Sequence, residues 1–380
     1  MAHQRLHTLL TFVMLVFAFA IPTGSHAQTY SALYEFGGKT GDPLNAQYSG
    51  IIAQGRDGDL YSTTPDGGSL CTGGCGTVFK IAPSGTLTVV YNFNFGASGV
   101  APFGGVTLGT DGSFYGTTDT NGKFNYGTVF KVTAGGTLTT LYNFGTCAYP
   151  CLEGVYPKAP PVQGTDGNFY GTTTFGIGGG PTGVVYKITP AGKYTTLYAF
   201  NGTSGASPDA PLIQGTDGNF YGTTALGGKT VNPVCYGSNS TCGTVFKMTP
   251  AGKVTFIYEF DKTHGAGPIG PVIQGTDGNF YGTTSAGGTS GFGVVFKLTS
   301  AGVLTVLHDF NGTDGQTPDA GLVQANDGNF YGVASAGGTL GFGTIFKITS
   351  TGTFKVLYNF EKTHGATPEV TLFQHTNGIL

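Results

Sequence analysis

The chain of 380 residues has no tryptophan, and only 10% of it is charged, with 17 basic and 20 acidic side chains and a formal net charge of −3. Without a basic stripe it lacks the electrostatic footprint of a nucleic-acid binder. It has neither the polybasic segment nor the amphipathic helix of a peripheral membrane protein. No run beyond the N-terminus places apolar residues at helical spacing, which excludes a helical domain. No apolar stretch after residue 27 is long enough to span a bilayer as a helix. Also missing are a Gly-x-Ser-x-Gly elbow, a phosphate loop and a His-Glu-x-x-His pair, so no familiar hydrolase motif is on offer.

What the chain has in abundance is glycine, 68 of 380 residues, and a repeat. The segment Gln-Gly-Thr-Asp-Gly-Asn-Phe-Tyr-Gly-Thr-Thr at 163–173 returns at 214–224 and 274–284. Looser copies lie at 54–64, 108–118 and 324–334, and a seventh begins at 374. The turn acid recurs as Asp57, Asp111, Asp166, Asp217, Asp277 and Asp327, with Asn377 in the seventh place, at spacings of 54, 55, 51, 60, 50 and 50 residues. Periods near 50 residues belong to propellers, solenoids or arrays.

Each period carries four short runs rich in β-branched and aromatic residues, bounded by Gly, Pro and Asp; 211–214, 219–224, 244–249 and 253–260 are one set. Thr-Asp-Gly-Asn joins runs one and two, and Gly accepts the positive φ of a tight turn there. Thr-Pro-Ala-Gly at 189–192 and 249–252 joins runs three and four. Two hairpins per period favour the four-stranded blade of a β-propeller over a β-solenoid, whose coils are usually shorter. The expected fold is all-β, a propeller of about seven four-stranded blades with the last one incomplete.

Residues 1–27 read as a signal peptide: Arg5 precedes an apolar core over 9–20, and Ser25-His26-Ala27 is a small-residue cleavage site. Residues 28–380 are then one exported propeller domain, extracellular or at the cell surface. Residues 29–36 match the fourth run of the repeat and are expected to be the outer strand of the closing blade, whose innermost strand starts at Val370. The seventh motif halts midway, so the domain is expected to be truncated at its C-terminus.

The units resemble the GloVer tandem repeat of exported bacterial "choice-of-anchor" proteins. The resemblance rests on the eleven-residue motif at 214–224, Gly-Thr-Val-Phe-Lys at 243–247, Thr-Pro-Ala-Gly at 249–252 and the Leu-Tyr-x-Phe strands. It extends over 29–380 and implies an exported, surface-attached repeat protein. It carries no activity and no catalytic residues. The chain departs from the family in showing no anchoring segment.

In such a propeller the two short turns of every blade share one face, while the longer loops between strands two and three and the connections between blades share the other. These longer segments vary in length from copy to copy, and recognition sits on variable loops held by a rigid scaffold. All six cysteines map to this face in three local pairs, Cys71 with Cys75, Cys147 with Cys151 and Cys235 with Cys242, and are expected as disulfides in an exported protein. No histidine lies in those loops, so neither zinc nor any other metal or cofactor is expected.

The ligand-contact candidates on the face are Tyr149, Tyr156, Tyr236, Phe124, Tyr126, Phe292, Phe342, His264, His364, Asp209 and Asp319. Aromatic rings beside polar groups suit sugars, although the lack of tryptophan removes the largest such platform. The recurring turn Asp is read as turn chemistry rather than a calcium ligand. The recurring Lys80, Lys131, Lys187, Lys247, Lys297 and Lys347 are read as paired or snorkelling side chains. The recurring Gln residues are read as hydrogen-bonding between blades. Asp209 and Asp319 lie two blades apart and pair only if both reach the axis.

The expected function is non-enzymatic: a monomeric module binding a glycan or a surface protein. A propeller glycosidase or lyase, and a spacer without ligand, are the alternatives.

Overall fold

The computed structural model describes residues 30–45, 51–72, 74–146, 153–176, 183–228 and 242–380. The proposed signal peptide lies outside the described residues. Residues 32–380 make up a single unit.

The described residues form an all-β propeller with six four-stranded antiparallel blades. Blade 4 shows the pattern: Ile213–Gln214, Phe220–Thr224, Thr244–Met248 and Val254–Glu259, in that order from the axis outward. The other five occupy residues 53–92, 107–143, 162–199, 273–309 and 323–359. About seven blades were expected. Residues 32–380 contain only six copies of strands two and three, so only six sheets reach four strands.

The second strand of blade 4 is buried along its whole length and the third at four of five positions, because each blade is covered by neighbours on both faces. In blade 4 the centre of strand two is glycine for a steric reason. A Cβ on Gly222 would stand 2.6 Å from Phe246 Cζ and 2.7 Å from Leu212 Cδ2. The tip of the strand-three aromatic ring occupies that gap.

Three contacts repeat from blade to blade. The strand-two tyrosine stacks on the strand-two phenylalanine of the next blade: Tyr115 on Phe169 at 3.8 Å, Tyr170 on Phe220 at 4.0 Å, and Tyr281 on Phe330 at 3.9 Å between ring centroids. Such pairs contribute roughly 0.5–1.5 kcal/mol beyond the area they bury. The outer strand bulges at one residue, between the partners of Val245 and Phe246 in blade 4. The carbonyl of the bulged residue meets the strand three–four turn of the next blade, so closely that a Cβ on Gly302 would be 2.6 Å from Ile257 O.

The third contact is the glutamine series. Gln214 Oε1 accepts the Thr165 backbone N–H at 2.8 Å while its Nε2 donates to the carbonyl of Gly218 in its own turn at 2.9 Å. Gln163, Gln274, Gln324 and Gln374 do the same at their seams. The bridging reading therefore holds for these amides. The recurring turn Asp is likewise a structural residue. Asp217 accepts from the Asn219 backbone, the Tyr221 hydroxyl at 2.8 Å and the Lys247 ammonium at 2.7 Å.

Candidate functional site

Five strand-two threonines reach across their seams to carbonyls at the start of the next innermost strand. Thr117 Oγ1 donates to Ala159 O at 3.1 Å, Thr172 to Ala210 O at 3.1 Å, and Thr283 to Ala320 O at 2.8 Å. Thr63 and Thr223 bond Pro102 O and Gly270 O in the same way. These bonds fix the chain beside the propeller axis at its variable end. The residue just before each alanine or glycine acceptor is Lys158, Asp209, Ile269 or Asp319.

The approach to this ring is held in an unusual conformation. Tyr156, Ser207, Thr317 and Thr367 all have φ between 49° and 59° although none is glycine, and a proline follows each of them. L-residues enter this region at a cost of roughly 1–2 kcal/mol. Backbone bonds hold them there, including Tyr156 N–H to Tyr126 O at 3.1 Å and Thr317 N–H to Phe292 O at 2.9 Å. Thr367 N–H donates to Phe342 O at 2.9 Å.

The ring lines an open axial cavity of about 120 Å³. Phe103, Lys158, Asp209, Ile269, Asp319 and Glu369 line it from six successive repeat positions, with alanines, glycines and prolines between them. Three acidic residues and one lysine thus line one small cavity. Asp209 accepts a 2.6 Å bond from the Thr174 hydroxyl. Asp319 accepts from Ser335 Oγ at 3.2 Å through Oδ2, whereas its Oδ1 is buried without a partner. Burial pushes the Asp319 carboxyl up to about 6. Asp209 is raised by burial, against the pull of Lys158 and the Thr174 bond. Glu369 is raised by burial and by the neighbouring Asp319. Behind the ring, Asp119 is also pushed up to about 6, by burial first, with Lys158 opposing and Asp209 adding to the rise. Among the described residues no three His, Cys, Asp or Glu side chains are arranged to hold a metal ion.

Of the residues singled out in the sequence, Asp209 and Asp319 both line the axial cavity, and none of the aromatic or histidine candidates is part of its lining. His264 is exposed, and its Nδ1 lies 2.9 Å from Asp261 Oδ2 within its own turn. Tyr126 and Tyr156 meet edge to face at 5.7 Å, and Tyr156 also packs on Phe175 at 6.1 Å. Phe292 and Phe342 are about one-third exposed. The Lys123 ammonium covers the Phe124 ring at 5.2 Å. Tyr149, Tyr236 and the His364 side chain lie outside the described residues, as do Cys147, Cys151 and Cys235. Cys71 and Cys75 form a disulfide, and Cys242 is also disulfide-bonded.

Lys158, Glu369 and Asp119 were missed. The signal for the first two was present: they occupy the same place relative to the following innermost strand as Asp209 and Asp319. Equivalent places in a closed ring converge on the axis.

Fold and repeat chemistry together define a β-propeller repeat protein. The chain belongs to the Gloeobacter/Verrucomicrobia repeat family, whose model matches residues 16–153 and 233–380. No curated protein sequence matches it. Among solved structures it is similar to a candidate 6-phosphogluconolactonase from Bacteroides uniformis, with 14% identity, a TM-score of 0.52, and coverage of 87% of this chain and 89% of that one. A candidate 6-phosphogluconolactonase from Bacteroides fragilis gives 16% identity and a TM-score of 0.49 over 84% of this chain and 85% of that one. At these identities the likeness concerns the fold alone.

Proposed function

We propose that this is an exported binding module that takes a small, donor-rich ligand in its axial cavity, such as the terminal amino sugar of a glycan. The observation that carries the reading is the convergence of Asp209, Asp319 and Glu369 around one cavity. Acceptors outnumber donors there, so hydroxyl and ammonium groups complement the site and anions do not. The alanines and prolines beside it form a partly apolar frame, and a lower local dielectric strengthens each such hydrogen bond. At about 120 Å³ the cavity is small, a size suited to the end of a chain rather than to a polymer segment. Tyr126, Tyr156, Phe292 and Phe342 on the surrounding face are then the surface along which the rest of a glycan lies.

The test is a glycan-array screen followed by calorimetry on the secreted chain and on Asp209→Asn, Asp319→Asn and Glu369→Gln. Binding of amino sugars or polyols that drops at least tenfold in these variants supports the reading. Binding that ignores all three substitutions, or no binding by folded protein, rejects it.

A hydrolytic reading is favoured by one observation: a carboxyl raised to about 6 keeps a proton on a minority of molecules at neutral pH and on more as pH falls, and in that form can act as a general acid. Turnover of glycosides or sugar lactones, abolished by Asp319→Asn, would support that reading instead.

A further inference from the structure

The segments that line the axial cavity touch one another in ring order. A Cβ on Gly104, next to Phe103, would stand 2.5 Å from the carbonyl oxygen of Lys158. The Thr172 and Thr223 bonds tie the blade after Lys158 to the Asp209 segment, and the blade after Asp209 to the Ile269 segment. A Cβ on Gly270, next to Ile269, would stand 2.7 Å from the carbonyl carbon of Ala320, which follows Asp319. The Gly321 N–H donates to Thr371 Oγ1 at 3.0 Å and joins the Asp319 segment to that of Glu369. Around the axis the side chains therefore come in the order Phe103, Lys158, Asp209, Ile269, Asp319, Glu369.

That order separates the acids into two sides. Asp209 has Lys158 beside it, whereas Asp319 and Glu369 are next to each other, and Ile269, 38% exposed, comes between Asp209 and Asp319. Electrostatics follow the same division. Burial raises the carboxyls of Asp209 and Asp119, and Lys158 opposes the rise at both. Among the described residues no lysine or arginine acts on the other side. Burial raises Asp319 with the Ser335 bond opposing it, and burial and then Asp319 raise Glu369.

We propose that Lys158 is a specificity-determining residue that restricts the cavity to ligands bearing one ammonium group. Its own ammonium serves the Asp209 side, and that of the ligand is held at the Asp319–Glu369 side. The inference rests on the binding function proposed above and adds to it a choice between amines.

In a cavity of about 120 Å³ the two ends of one sugar ring reach both sides at once. A monoamine with its ammonium on Asp319 and Glu369 turns hydroxyls towards Lys158, whose N–H groups donate to their oxygens. A ligand with a second ammonium at that end brings two like charges together, and their repulsion grows as water is displaced from the site. Lys158 thus acts as a built-in competitor for cations on its side of the ring and as a hydroxyl donor to the ligand. With an uncharged side chain at 158, Asp209 and Asp119 lose their cation, and the same end becomes a second ammonium site.

The experiment is calorimetry on the secreted chain with two probes, glucosamine and the analogue whose primary hydroxyl is replaced by an amino group. The unsubstituted chain should bind glucosamine and take the diamino sugar less tightly. Lys158→Met, and independently Lys158→Gln, should tighten the diamino sugar by about tenfold or more while moving glucosamine far less. Lys158→Arg keeps the charge and should keep the original preference; thermal melts check that each variant is folded. Suppose glucosamine binds, but the unsubstituted chain takes the diamino sugar as tightly or more tightly, or the uncharged variants shift both sugars by the same factor. The role of Lys158 is then overturned while the binding function stands. If neither sugar binds the folded, unsubstituted chain, the binding function fails and this inference with it.

Discussion

Gln54 and Thr376 exchange two hydrogen bonds across 322 positions of sequence: Gln54 Nε2 donates to Thr376 Oγ1 at 3.0 Å and Gln54 Oε1 accepts the Thr376 backbone N–H at 3.3 Å. Gln54 Nε2 also lies 2.8 Å from His375 Nε2. One side chain thus joins the two ends of the ring. Gln54→Ala is expected to destabilise the protein by about 1–2 kcal/mol, in line with the loss of partly exposed hydrogen bonds. It should also raise hydrogen exchange at 374–378 more than anywhere else. Unchanged exchange at that turn would mean that the turn is held by something other than Gln54.

Stability should have an acid-side maximum, because two groups of carboxyls respond to pH in opposite ways. In the turns, burial raises Asp111 but is outweighed by Lys131, the Ser113 amide and Tyr115, which hold it down to about 2. Asp217, Asp277 and Asp327 are lowered in the same manner, each by a lysine, an asparagine and a tyrosine acting against burial. Their contribution is complete above the unfolded aspartate value of about 3.9 and is lost as pH falls below it. Asp119 and Asp319 are raised to about 6, so the folded state holds extra protons between about 4 and 6, and stability falls as pH rises through that range. Thermal melts from pH 3 to 8 should peak near pH 4–5. In Asp319→Asn the decline above the peak should be shallower and the melting temperature at pH 7 higher. A flat profile from pH 4 to 7 would refute the assignment.

Two glycines of one blade should respond differently to alanine. At Gly222 the new methyl collides with Phe246 and Leu212, and the cost should be at least the ~1–3 kcal/mol of an overpacked core. At Gly218, φ is +78° and nothing lies within 4 Å, so alanine there should cost about 1–2 kcal/mol from backbone strain alone. Asparagine, which tolerates the left-handed region, should recover part of the loss at Gly218 and none at Gly222. Denaturant melts of the four variants decide this.

The Cys71–Cys75 disulfide closes a loop with a sequence separation of only 4. Loop entropy assigns it about 2 kcal/mol. The double variant Cys71→Ser/Cys75→Ser should therefore stay folded with a modestly lower melting temperature and retain whatever ligand affinity the axial cavity has. Unfolding of the double variant at room temperature would give the bridge a larger role than loop entropy allows.

Much of the fold was legible because each local signal repeats. Asp-Gly-Asn marks one turn, Thr-Pro-x-Gly the other, and alternating aromatic and β-branched residues the strands between them. The count of complete blades was less legible. An innermost strand at 370–374 reads as the start of a blade whether or not two central strands follow. The axial cavity was half legible. Asp209 and Asp319 stood out, but distance along the chain made them look separate. Glu369 and Lys158 were overlooked because they differ chemically from the aspartates whose positions they share. Thr117, Thr172 and Thr283, which hold that ring in place, looked like ordinary strand residues, since a cross-blade bond leaves no mark in a single period.

The seams between blades use one recurring set of partners: a glutamine and a backbone amide, a tyrosine and a phenylalanine, a bulge carbonyl and a turn glycine. Any unit's leading face therefore fits any unit's trailing face. A gene encoding such a chain can gain or lose a unit of about 50 residues by unequal recombination, and every new junction inherits working contacts at once. Leu108 shows the tolerance of the scheme: one seam lacks its glutamine, Arg56 reaches across to the Thr110 carbonyl at 2.6 Å, and the ring still closes. Copy number is then limited by the curvature the ring can accommodate, and the residues around the axis are free to diverge unit by unit.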